Sequence, residues 1–196
     1  MGQVSQKPSR RPRADSVRNR QRVLEAATAV FSAGGPDASL EAVARRAGVG
    51  IGTLYRHFPT REALFEAVYR HEVDQLGELA RTLAGQGDPV DALRAWLHAN
   101  VRLVATKKGM LAALALAAHG PKELYAYSFE HLTRAVGLLL ERAVAAGEVR
   151  DDITAADLLR ALVGMCYMND QPGWQVNVLR LVDVFVDGLR VRPGGS

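Results

Sequence analysis

Apolar residues along the chain recur at three- and four-residue spacings and almost never alternate, the period of helices rather than strands. Val23, Ala27, Val30 and Phe31 mark the inward stripe of a first helix that Ser16 can cap and that Gly34-Gly35-Pro36 ends. A short second helix follows Ser39. Leu40, Val43, Ala44 and Ala47 share one face, and Glu41 lies in the first turn, where the helix dipole favours an acid. Gly48 stops it, and a third short helix carries Leu54, Tyr55 and Phe58 before Pro59. Thr60 caps a long fourth helix to Ala84, with Leu64, Phe65, Val68, Leu76, Leu79 and Leu83 as its stripe.

Asp88-Pro89 opens a fifth helix, because proline is tolerated where its missing N–H had no partner, and this helix is expected to run to about Thr106. Further helices are expected over 109–119, 123–146, 154–168 and 174–191, the third of these opened by a Thr154–Asp157 capping box. The reading is an all-α chain of about nine helices, with a three-helix N-terminal unit joined to a larger helical body. The predicted division is a basic arm without fixed structure over 1–14, a first domain over 15–75, a second over 76–191 and a tail over 192–196.

A length of 196 residues suits one medium domain, or two small ones sharing a helix. Apolar residues make up 48% and charged residues 23%, with a mean hydropathy of −0.05, which excludes a wholly disordered chain. The longest apolar stretch, Met110–Ala118, is about half the ~18–20 residues of a membrane span. The arginine-rich start lacks the apolar segment of a secretory signal, and the single Cys166 has no internal disulfide partner. A cytoplasmic protein without membrane contact is the expectation.

Charge changes the picture. Residues 1–70 carry a balance of +6 and residues 71–196 one of −2. Lys7, Arg10, Arg11, Arg13, Arg18, Arg20 and Arg22 are opposed only by Asp15. A basic arm beside a near-neutral body points to a polyanion, a solvated tail being the plainer alternative. Pro8 and Pro12 oppose an amphipathic helix lying on a membrane.

The candidate chemistry lies in residues 39–61, a short helix, a glycine-containing turn and a second short helix. Val43, Ala44, Val49, Leu54 and Phe58 can lock the pair, leaving Gly50, Ile51, Gly52, Thr53, Tyr55, Arg56 and His57 outward. That is a helix-turn-helix, whose second helix fits the ~12 Å major groove of duplex DNA. Ala44–Gly48, the run Gly52-Thr-Leu-Tyr-Arg-His-Phe58 and Arg61-Glu-Ala-Leu-Phe65 closely resemble the TetR family of bacterial transcriptional regulators, over about residues 17–75.

The resemblance implies a homodimer with an N-terminal DNA-binding domain and a C-terminal domain for ligand binding and dimerisation. It implies phosphate contacts from Ser39, Thr53, Tyr55, His57 and Arg61, and base-edge contacts from Gly50, Ile51, Gly52 and Arg56. Ile51 and Gly52 depart from the more polar residues of many members, so their readout would be apolar, as with a thymine methyl. The partner expected is a palindromic double-stranded operator, bound by a repressor that a small molecule releases.

For that unknown effector, Trp96, Asn100 and Leu103 share one helix face, Met110, Leu114 and Ala117 another, and Tyr125 and Phe129 a third. Large apolar groups with a few polar ones suit a pocket, and equally suit a core. Leu158, Leu162, Val182, Phe185 and Leu189 of the last two helices are the candidate dimer seam, since the final helix is apolar on more than one face. No cofactor or metal is expected. Gly48–Gly52 lacks the strand and lysine of a phosphate loop, and no histidine pair has the HxxxH spacing. No local signature of a catalytic triad or carboxylate pair is present, so an enzyme is the less favoured class.

Overall fold

The computed structural model describes residues 11–34, 38–113, 122–168 and 171–191, with side chains from residue 15 onward and to residue 112 of the fifth helix. Eight helices cover them: α1 (Arg11–Ala33), α2 (Leu40–Ala47), α3 (Ile51–His57), α4 (Arg61–Ala84), α5 (Pro89–Ala113), α6 (Lys122–Ala145), α7 (Ala155–Tyr167) and α8 (Trp174–Leu189). The all-α expectation holds. No strand occurs among the described residues; the one extended pairing is an isolated bridge between Val149 and Arg190 that ties the end of α8 to the α6–α7 connection.

Two boundaries differ from the sequence reading. The first helix begins by Arg11 rather than after Ser16, so Arg11–Ala14 are helical and not part of an unstructured arm. Pro12 sits in the first turn, where an absent N–H costs little, and Asp15 pairs with Arg18 one turn on. Lys7, Arg10, Leu114, Ala117 and the tail after Val191 lie outside the described residues. The fifth helix does not end at Thr106 but continues through Gly109 to Ala113, so two segments read separately from sequence are one helix. Lys107, Lys108 and Gly109 break the apolar run without removing an N–H, and Thr106 caps nothing: its hydroxyl donates back to the Arg102 carbonyl at 3.1 Å.

Local signals read from sequence take their expected places. Ser39 Oγ accepts the Ala42 N–H at 3.1 Å, Thr60 Oγ1 accepts that of Ala63 at 3.1 Å, and Asp88 Oδ1 accepts both Val90 and Asp91 at 2.9 Å. Gly48 ends α2 with φ of 65°, a left-handed conformation that a side chain would strain. The Thr154–Asp157 capping box is closed in both directions.

One continuous core runs through the molecule. Val23, Ala27 and Phe31 of α1, Val43 and Ala44 of α2, Leu54 of α3 with Phe58, and Leu64, Phe65 and Val68 of α4 close the N-terminal unit. Burying such a side chain is worth about 1.5–3 kcal/mol each, enough to fix two helices too short to be stable alone. The long α4 leaves that unit and enters the body, where Leu76 and Ala80 are buried. Trp96 of α5 donates its indole N–H to the Leu76 carbonyl at 2.9 Å, and Arg142 of α6 donates to the carbonyls of Leu83, Gln86 and Gly87, closing the C-terminal end of α4. A second route joins the halves: the last turn of α1 lies directly on α5 at Gly109.

Candidate DNA-reading surface and effector body

The turn that presents α3 is built from backbone. Gly48 donates to the Arg45 carbonyl at 3.1 Å and Val49 to that of Ala44 at 3.0 Å, folding the chain back from α2. Leu54 and Phe58 point down and are buried, which by helical spacing turns Gly52, Tyr55 and Arg56 outward, while Ile51 is exposed in the first turn. Thr53 and His57 are half-buried beside α1, where with Asp15, Ser16, Asn19 and Arg56 they border a cleft of about 370 Å³. The Arg20 guanidinium lies 5.2 Å from the Phe58 ring centre, fastening α1 to the end of α3. A Cβ added at Gly50 or Gly52 would meet nothing within 4 Å, so no packing inside the protein requires glycine there. Bare backbone at those two positions leaves room for something outside the protein.

The other sequence-chosen residues flank this surface. Ser39 is half-buried, and its oxygen is already an N-cap acceptor, which leaves the hydroxyl proton to donate. Arg61 is exposed at the start of α4, and Arg45 and Arg46 are exposed in the last turn of α2. All nine residues chosen from sequence therefore sit on the helix-turn-helix or next to it, with α3 at the centre.

The effector candidates are less uniform. Trp96, Leu103 and Met110 are fully enclosed, and the one polar atom of Trp96 is used by the Leu76 carbonyl, so they are core. Phe129 is exposed with the Arg160 guanidinium 5.5 Å from its ring centre; it lies on the surface and lines no interior. Asn100 is 1% exposed and its Nδ2 has no hydrogen-bond partner. Tyr125 is half-buried and lies edge-on to Tyr69, 6.0 Å between ring centres. Sequence reasoning passed over Lys107, whose ammonium stands 3.9 Å from the centre of the Tyr125 ring. The signal was available: a lysine pair interrupts the apolar run of α5.

At the proposed seam, Leu158, Leu162, Val182 and Leu189 are buried in the protomer's own core. They hold α7 and α8 to the body and have no surface to give a partner, which corrects the sequence reading. Only Phe185 keeps partial exposure, in a groove of about 480 Å³ with Ile153, Val184 and Gly188. What α8 does expose is Leu181 and Val184, 50% and 70% accessible, apolar residues that the pattern placed next to the chosen ones. The opposite edge of α8 is tied to α5, where Arg94 meets Asp183 at 3.2 Å and Asp187 at 2.6 Å, and His98 meets Asp183 at 2.8 Å.

The sequence pattern of the family described as bacterial regulatory proteins, tetR family, matches residues 23–68, and that of the transcriptional regulator SbtR-like C-terminal domain matches residues 88–191. The chain belongs to the TetR family. The crystal structure of the TetR transcriptional regulator SCO0520 from Streptomyces coelicolor is 43% identical, covers 89% of this chain and 99% of its own, and superposes with a TM-score of 0.76. A TetR transcription regulatory protein from Mycobacterium vanbaalenii is 37% identical, covering 92% and 99%, with a TM-score of 0.71. The repressor KstR of Mycolicibacterium smegmatis is 28% identical over 135 residues, 68% of this chain and 66% of that protein. Matches to the next two curated relatives span less than half of their lengths. The TetR pattern thus falls on the α1–α4 unit and the SbtR-like pattern on α5–α8.

Among the described residues no helix is long and apolar enough to cross a membrane, and no group of His, Cys, Asp and Glu is placed to hold a metal. Cys166 is fully buried, and burial pushes its thiol up to about 12. Against a free thiol, the thiolate fraction at neutral pH falls by about a thousandfold. Native protein is therefore expected to resist iodoacetamide over hours, and denatured protein to react within minutes. Equal rates by intact mass would show that Cys166 is open to solvent.

Proposed function

We propose that this chain is a homodimeric transcriptional repressor that binds a palindromic operator through α3 and leaves it when a small molecule enters the C-terminal body. The observation that carries the reading is the outward face of α3. Two glycines that no internal contact needs stand beside Ile51, Tyr55 and Arg56 on a helix locked from below by Leu54 and Phe58. In this reading Thr53, Tyr55, His57, Ser39 and Arg61 hold phosphates, which fixes register without reading sequence. Arg56 reads a base edge, guanine being the acceptor pair an arginine matches best, and Ile51 packs on a thymine methyl. The KstR name, that of a repressor, supports the direction of control.

Binding to duplex DNA from upstream of its own gene, followed by gel shift, tests the reading at once. Arg56→Ala is expected to lose on the order of 1–3 kcal/mol of discrimination at one base pair per half-site, whereas Tyr55→Phe weakens all sequences alike. Selection from random duplexes separates the two. An unchanged preferred operator with Arg56→Ala removes the base-reading role, and no duplex binding by the wild type removes the function. An enzyme or a purely structural helical adaptor would give that second result.

A further inference from the structure

The body of the molecule half-buries the ammonium of Lys107 among rings rather than charges. Lys107 projects from α5 into a cage of three phenol rings supplied by three other elements. Its Nζ stands 3.9 Å from the centre of Tyr125 on α6, 5.5 Å from Tyr167 at the end of α7 and 5.8 Å from Tyr69 on α4. Among the described residues no carboxylate pairs with it. The other cations inside the body are answered. Arg94 has Asp183 and Asp187, and Arg142 has three backbone carbonyls. Aromatic faces attract an ammonium through their quadrupole, but they return only part of what is lost when a charge leaves water. Burial accordingly pushes the Lys107 ammonium below its ordinary value. A methionine in this place would pack against the same rings without that cost.

We propose that the effector of this chain is a small organic carboxylate whose anionic head pairs with Lys107 inside the tyrosine cage; the proposal rests on the effector-responsive reading above. Three observations set the ligand class. One ammonium stands at the centre of the cage: Lys108 meets it only at the rim, 5.6 Å from the Tyr167 ring centre, and its Nζ donates to the Cys166 carbonyl at 3.3 Å and lies 4.6 Å from the Trp174 ring, so a monoanion is matched better than a phosphate. The surroundings are apolar, with Leu103 and Met110 buried one turn to either side of Lys107 on α5, so the rest of the ligand is organic. Two turns earlier on the same stripe, Asn100 holds a buried amide N–H without a partner, a second donor that an acceptor on a ligand would satisfy. Burial also pushes the Tyr69 phenol up to about 12, so it stays neutral, its hydroxyl hydrogen-bonded with Ser128, and adds no charge against an anion. Lys107 is two residues from Gly109, where α5 bears on α1, so pairing here acts where the body meets the DNA-binding unit.

The test uses the full chain and two probes of one shape, 4-phenylbutyrate and 4-phenylbutyramide, titrated by calorimetry into wild type, Lys107→Met and Lys108→Met. Wild type and Lys108→Met are expected to prefer the carboxylate at least tenfold. Lys107→Met is expected to bind both probes alike while keeping the wild-type helical melt and gel shift. A wild type that prefers the amide, a Lys107→Met that keeps the carboxylate preference, or a loss of preference in Lys108→Met instead, overturns the assignment to Lys107 and leaves a responsive pocket standing. If neither probe binds at millimolar concentration while operator is bound normally, both the carboxylate and the pocket fall.

Discussion

Replacing Gly109 with alanine is expected to remove at least nine-tenths of the operator affinity while the protein still sediments as its native oligomer. Gly109 lies in the interior of α5 with ordinary helical geometry, and alanine is the better helix former by about 0.5–1 kcal/mol. Propensity alone therefore predicts a gain. The contact decides otherwise. A Cβ there would overlap the Phe31 carbonyl oxygen and lie 2.8 Å from its carbonyl carbon, both backbone atoms of the last turn of α1. No rotamer change relieves a clash with backbone, so α1 must lift off α5. Overpacking of this kind costs about 1–3 kcal/mol, more than the propensity gain. The displacement falls on the element that carries Val23, Ala27 and Phe31 into the DNA-binding core. Gly137→Ala is the matched control, because its added Cβ would meet the Ala155 Cβ at 3.6 Å, an ordinary contact, and is expected to leave affinity unchanged. Thermal melting with gel shift on both variants checks this; wild-type affinity in Gly109→Ala would mean that the α1–α5 seat does not position α3.

This seat was not legible in the sequence, and the reason is physical. Periodicity reports which face of a helix is apolar, so Leu64, Phe65, Val68 and Leu76 marked α4 as one long helix with a single inward stripe. A close backbone approach leaves only a glycine, and Gly109 read instead as a helix boundary. The recognition surface was legible because its signals are local: a cap at Ser39, a left-handed glycine at Gly48, and inward residues four apart at Leu54 and Phe58. The effector candidates failed in part because core and pocket walls have the same composition. Trp96 and Met110 are apolar and turned out enclosed; Phe129 is apolar and turned out exposed. Lys107 is the reverse case, a charge whose burial depends on rings contributed by α4, α6 and α7, a coincidence that a single helix pattern cannot carry.

The dimer seam shows the same limit and gives the other large expected effect. Inward residues of α8 recur at Val178, Val182 and Val186, all fully buried, and they were the strongest part of the pattern. The face expected to meet a partner lies about 100–160° around the helix from them, the stripe of Asn177, Leu181, Val184 and Gly188, every member of which is exposed. Two apolar residues and a glycine on one exposed stripe are what a close, two-fold helix crossing uses, since each copy meets the same residues of the other. Leu181→Glu would bring two carboxylates together across that axis and bury them without a cation, a cost no rim contact offsets. The protomer fold should survive, because Leu181 is already half exposed and the adjoining Val182 is untouched. The expected result is a halved mass in solution and a loss of operator affinity of about 10²–10⁴, since each recognition helix then binds its half-site alone. Val176, also exposed, lies about 140° around α8 from Leu181, and Val176→Glu is expected to change neither mass nor affinity. Light scattering with a gel shift on the two variants decides it. A Leu181→Glu protein that remains a dimer moves the seam off this stripe of α8 and onto another face of the body.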